Sequence, residues 1–179
     1  MGSELVQWRY SVLTGSAGDT QAQADPNASL GKYVATTAWS GSSVNNLFDN
    51  QATTDQVGGI VDYRCVFAGN FNGTLSLYDA VVYLPLPIQT TQSTIAIGVD
   101  PAGVVATSGT AAQAAELASE TSVPAGVSFS SPTTLAAAVV VGDLGPNTCR
   151  AVWLRRTPTG ADAVSNESIT VRLHGTLAP

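Results

Sequence analysis

Apolar and polar positions alternate with a period of two along much of the chain, and this pattern predicts strands. The clearest run is Ile60 to Phe67, with Tyr63, Cys65 and Phe67 on one face and Asp62, Arg64 and Val66 on the other. Gln7 to Leu13 alternates likewise, with Trp8, Tyr10 and Val12 together. Further strands are expected at Lys32–Trp39, Thr74–Leu84, Thr94–Val99, Val127–Phe129, Leu135–Val141, Thr148–Arg155 and Ser168–His174. Asn70-Phe71-Asn72-Gly73 predicts a tight hairpin turn, because Asn-Gly favours positive φ, so Ile60–Phe67 and Thr74–Leu84 should lie side by side. Pro85-Leu86-Pro87 should end the second of these, since proline cannot donate to a ladder. Asp100-Pro101-Ala102-Gly103 and Gly142 to Asn147 are further turn signals. Thr110 to Glu120 is the single helical candidate, with Ala111, Ala114, Ala115 and Leu117 as its apolar positions. No repeat of fixed period and no heptad run is present.

Many short strands between turns imply an all-β domain, a β-sandwich of jelly-roll or immunoglobulin-like type with at most one short helix. Thr14 to Gly31 is polar and lacks apolar periodicity. Residues 1–31 are therefore expected to form an extended N-terminal arm, and 32–179 the sandwich. A loop this long usually has a task, and strand addition to a neighbour is one.

Composition narrows the function. Seven basic against thirteen acidic side chains give a net charge of −6, the wrong sign for displacing counterions from a phosphate backbone. Nucleic acid is not expected as a partner. No apolar stretch is long enough to span a bilayer, and Met1–Tyr10 lacks the basic and apolar regions of a secretory signal. Only 11% of residues are charged, an unusual surface for a free monomer and one that neighbours could cover. Cys65 and Cys149 are expected as free buried thiols of a reducing compartment; a bridge would require Cα atoms within about 7 Å.

The chemistry-bearing residues are sparse. One histidine, His174, lies on the last strand and is read as a surface residue rather than the base of a triad. The acids fall mostly in turns, where aspartate hydrogen-bonds its own backbone. Asp49, Asn50 and Asp55 do not have EF-hand spacing, and Gly58-Gly59 leads into a strand rather than a phosphate-binding helix. No enzyme activity, metal or cofactor is expected. Three glycosylation sequons, at Asn27, Asn72 and Asn166, are explained by chance in a chain rich in Ser and Thr. Trp8, Trp39 and Trp153 could form a sugar platform, although Trp153 shares a face with Cys149 and Ala151 and reads as core. The interaction candidates are Trp8 and Arg9 on the first strand, Asp25-Pro26-Asn27 in the arm, the apolar loop Pro85-Leu86-Pro87, and Arg155-Arg156. The arginine pair is either a solvated strand end or a contact to a subunit carboxylate.

Four stretches together resemble virion structural proteins of tailed bacteriophages. They are Gly18 to Gly31, Asp62-Tyr63-Arg64-Cys65-Val66 followed by Asn70, Ala96-Ile97-Gly98-Val99-Asp100-Pro101, and Ala151-Val152-Trp153-Leu154-Arg155-Arg156-Thr157. Their order is that of the family, and they are spread over most of the chain, from Gly18 to Thr157. The resemblance implies a head decoration (cement) protein on the capsid exterior, assembled in the host cytoplasm. Its partners would be the major capsid protein and copies of itself, for example as a trimer. A tail, neck or fibre-associated virion protein is the alternative within the same particle, and a carbohydrate-binding module the alternative outside it.

Overall fold

A computed structural model describes residues 5–18, 28–39, 41, 45–86, 92–160, 162 and 168–179. Nine strands dominate it: β1 (Val6–Val12), β2 (Tyr33–Ala38), β3 (Asp62–Asn70), β4 (Ser76–Leu86), β5 (Ser93–Val99), β6 (Val105–Ala106), β7 (Val139–Leu144), β8 (Thr148–Pro158) and β9 (Thr170–Ala178). The larger sheet runs β2-β1-β3-β8-β5, with β6 also on β8; the smaller is β7-β4-β9. Every pairing between strands is antiparallel. The two sheets form a β-sandwich.

The alternation in the sequence sorts residues into two cores. Tyr10, Val12, Val66, Ala68, Val152 and Leu154 face the smaller sheet and meet Ala80, Val82, Leu84, Val141 and Leu144. Tyr63, Cys65, Phe67, Cys149, Ala151 and Trp153 point the opposite way into a second core with Leu30, Val34, Ala114 and Leu117. The larger sheet is thus buried on both faces, by the smaller sheet on one and by irregular chain on the other. All nine residues of β3 are buried as a result.

Three expectations are corrected. Thr110 to Glu120 is not a helix but part of this irregular cover. Its amides are taken by the β2 approach: Gln113 and Ala114 N–H donate to the Lys32 carbonyl, and Leu117 N–H to that of Leu30. Asp100 Oδ2 accepts from Ala115 N–H at 3.1 Å. Burial of Ala114 and Leu117 outweighs a helix propensity that amounts to only tenths of a kcal/mol per residue. The helical turns that do occur are brief, α1 (Thr53–Val57) and a 3₁₀ turn at Leu135–Ala137.

The second correction concerns the Asn-Gly turn. β3 pairs with β1 and β8, whereas β4 lies in the other sheet. Gly73 does not adopt the positive φ that a tight hairpin needs. Asn72 Oδ1 accepts the N–H groups of Thr74 and Leu75 instead. Asn70 Nδ2 donates to the carbonyls of Leu75, Leu144 and Gly145. These bonds steer the chain across from one sheet to the other.

The third is the arm. β1 lies inside the larger sheet between β2 and β3. Ala17 N–H and Gly18 N–H bond the carbonyls of Gly109 and Val34, and Leu30 is core. A boundary at residue 31 would cut through the sandwich, and residues 19–27 lie outside the described residues. Smaller differences follow the same pattern. Val127–Phe129 is irregular and covers β5, the strand expected from Leu135 starts at Val139, and Pro85-Leu86 closes β4 from within it.

Candidate functional site

The intersheet face of β3 is apolar at Val66 and Ala68 and then turns polar at Arg64 and Asp62. Asp62 lies opposite Arg156 on β8. Arg156 donates from Nε at 3.1 Å and Nη2 at 2.6 Å to the same Asp62 oxygen, Oδ2, and from Nη1 to the Asp49 carbonyl at 2.8 Å. Gln51 Nε2 adds a third donor to Oδ2 at 3.2 Å. Arg64, fully buried, donates to the carbonyls of Leu47 and Tyr63, and its Nη2 meets the carboxylates of Glu120 and Asp49. Phe48 lies beside both guanidiniums, with Cζ of Arg64 at 5.5 Å and of Arg156 at 4.9 Å from its ring centroid.

Two arginines and three carboxylates therefore form one knot at the end of the core. It fastens the Leu47–Gln51 loop and Glu120 onto β3 and β8. Burial pushes the Asp62 carboxyl above its usual range, more than the Arg156 hydrogen bonds pull it down. The planar guanidinium fork suits arginine to such a place. These bonds tie the Leu47–Gln51 loop, Glu120, β3 and β8 together as a clasp.

A second buried polar centre sits on the other face. Asp100, nearly inaccessible, accepts Trp153 Nε1–H at 2.8 Å and Ala115 N–H through Oδ2, and Ala102 N–H through Oδ1. It ties the Asp100–Gly103 turn, the irregular cover and β8 together. The two thiols are buried, and burial pushes Cys149 up to about 12 and Cys65 well above the ordinary range. Both are free. Cys65 lies opposite Trp153 and Cys149 opposite Gly69, which separates them by about 13 Å along the strands, too far for a bridge.

The interaction candidates do not converge. Trp8 packs on the intersheet core and against Trp39, edge to face at 6.0 Å between centroids. Arg9 points to the opposite side of β1, its Cζ 3.4 Å from the Phe71 ring centroid, and burial lowers its pKa. Pro85 is half-buried and Leu86 is 60% exposed. Arg155 and Arg156 point to opposite faces, as neighbours on a strand must. Arg155 lies over Phe129 at 5.1 Å, while Arg156 is internal. Arg156 is therefore neither a solvated strand end nor a subunit contact; strand alternation turns it inward onto Asp62. Asp25, Pro26, Asn27 and Pro87 lie outside the described residues. Trp153 is core, and the near-perpendicular rings of Trp8 and Trp39, at 77°, do not make a flat sugar platform.

Sequence reasoning missed the clasp. Its signal was present in Asp62 and Arg64, two charges of opposite sign on one face of a strand that carries no other charge. The open depression of about 390 Å³ between Val105 and Gln113 adds no convergent chemistry, because Gln113 is committed to Val34 N–H and the Ala106 carbonyl. Among the described residues no helix is long and apolar enough to cross a membrane, and no three His, Cys, Asp or Glu side chains group as metal ligands. Compared with protein-family models, curated proteins and solved structures, the chain has no significant match in any of the three.

Proposed function

We propose that this protein is a structural component of a tailed-phage virion and that it decorates the capsid exterior, binding across major capsid subunits. The observation that carries the reading is where the resembling stretches lie. Asp62–Val66, Ala96–Pro101 and Ala151–Thr157 fall on β3, β5 with its following turn, and β8. These strands are neighbours in the order β3-β8-β5. Three of the four resembling stretches thus lie side by side in the larger sheet, and the fourth, Gly18 to Gly31, falls mostly outside the described residues.

The surface supports the reading as well. Val57, Val123, Val140 and Leu86 are each at least 60% exposed on a weakly charged exterior. A partner can cover such a surface at little desolvation cost. A bound copy would stabilise the shell by mass action, because it has affinity for the assembled lattice and none for dissociated subunits. Whole particles separate this role from that of a tail component. A decoration protein is present in stoichiometric relation to the major capsid protein, and a tail, neck or fibre protein is far scarcer. Densitometry of purified particles that finds it scarce, or absent, refutes the proposal.

A further inference from the structure

Two sheets have four edges, and on three of them other parts of the chain take up at least one outward backbone group. On β5, Ile97 exchanges both backbone bonds with Ser130. On β2, the Val34 carbonyl accepts from Gly18 N–H and the Val34 N–H donates to Gln113 Oε1. On β7, the Val141 carbonyl accepts from Arg150 Nη1 at 2.6 Å. Covering an edge in this way keeps it from pairing with another chain.

Among the described residues the β9 edge is open. Its nine residues pair with β4 on one side, and among the described residues no backbone group on the other side has a partner. The strand contains no proline, lysine or acidic residue, the usual devices that blunt an edge. Val171, Leu173 and Leu177 pack against the intersheet core yet remain partly exposed, and Arg172, His174 and Thr176 face solvent.

We propose that β9 pairs antiparallel with β9 of a second copy across a two-fold axis, joining two three-stranded sheets into one of six strands. A second copy is the occupant because the strand complements itself. The register centred on His174 uses all nine residues and keeps inward side chains beside inward ones, as the period of two requires. It sets Val171 opposite Leu177 of the second copy, so the partly exposed apolar side chains cover one another. It sets Leu173 opposite Gly175, where only hydrogen fits, since a Cβ would lie 2.8 Å from the Tyr78 carbonyl oxygen and 2.9 Å from Leu77 Cδ1. Arg172 falls opposite Thr176, so no two arginines are opposed. An isologous contact consumes the edge in both copies and closes at the dimer. The inference rests on the edge alone and holds whether or not the protein belongs to a virion.

Sedimentation velocity over a concentration series tests it, with Thr176 as the probe because its side chain is exposed and on the register. Thr176→Arg places two arginine–arginine pairs across the dimer seam, and Thr176→Glu places two arginine–carboxylate pairs there. From the size of cross-strand pair effects, acting twice per dimer, the first raises the dissociation constant by roughly two- to thirty-fold and the second lowers it by a similar factor. Circular dichroism and melting of each variant establish that it folds, and either folded variant decides the question. A monomer throughout the series, a trimer, or a dimer indifferent to the substitution overturns the proposal.

Discussion

Asp62→Ala separates a buried clasp from a decorative ion pair. The Asp62 and Arg156 side chains are only 6% and 10% exposed. Truncation removes Oδ2, the acceptor of two Arg156 bonds and one from Gln51. What remains is a buried guanidinium whose Nε and Nη2 have lost their hydrogen-bonded carboxylate, with Asp49 Oδ1 still 3.9 Å from Nη2. Breaking such a pair costs about 3–5 kcal/mol, most of it the penalty of the charge left behind. For a chain of this size that lowers the melting temperature by roughly 6–20 °C. Replacing both partners by apolar residues, Asp62→Val with Arg156→Met, removes the stranded charge together with its desolvation cost. That cost is real here, since burial raises the Asp62 pKa despite the arginine. The double variant is therefore expected to be more stable than Asp62→Ala. Urea unfolding of wild type, Asp62→Ala, Asp62→Val, Arg156→Met and the double variant supplies the numbers. A loss below about 1 kcal/mol for Asp62→Ala would assign the pair to the class of exposed bridges. A double variant whose loss equals the sum of its parts would remove the coupling altogether.

Other outcomes follow from single sites. Gly31→Ala should give little soluble folded protein, because Gly31 has φ +98° and an added Cβ would overlap the Ala115 carbonyl; wild-type yield and circular dichroism would contradict this. Trp153→Phe keeps the buried ring but removes a donor from the Asp100 carboxylate, and the expected cost in urea unfolding is about 1.5–3 kcal/mol. With the Asp62 pKa raised on folding, the native state binds the extra proton just above the ordinary aspartate range, so this group's contribution to stability falls as pH rises there. The stability of wild type minus that of Asp62→Asn should decline with pH through that window, and a rise would show the sign to be wrong. Cys149, with its thiol near 12, and Cys65, higher than usual, should resist an aromatic disulfide reagent at pH 8 until the chain unfolds; fast labelling of native protein would contradict their burial.

The strands were legible because alternation is a local property. Trp8, Tyr10 and Val12 share a face as expected, as do Tyr63, Cys65 and Phe67, and Cys149, Ala151 and Trp153. Which strands become neighbours was not legible. Asn72-Gly73 carries the local signature of a hairpin, yet Asn70 reaches Leu144 and Gly145, residues more than seventy positions away. A turn motif contains no information about such partners. The irregular cover was hidden for a related reason. Its alanines favour a helix in isolation, but the carbonyls of Leu30 and Lys32 claim its amides, and no periodicity within the segment can announce an acceptor outside it.

The two arginines of Arg155-Arg156 show how charge can be misread from sequence. A doublet of bases at a strand end looks solvated, yet alternation sends the two to opposite faces, Arg156 onto Asp62 and Arg155 over Phe129. The same applies to the other bases. Arg64 is buried, Arg150 bonds the carbonyls of Val141 and Asp100, Arg9 stacks on Phe71, and Lys32 pairs with Glu116 at 3.0 Å. Of the seven basic residues, Arg172 alone is exposed. The exterior is therefore poorer in positive charge than the composition states, and its polarity rests on acids, amides and hydroxyls. Arg172 sits on β9, whose outer edge is unpaired among the described residues, and in the register centred on His174 it faces a threonine rather than another base. A single cation on an otherwise uncharged strand deters few partners, which is why adding a second at Thr176 is the sharpest perturbation of that edge.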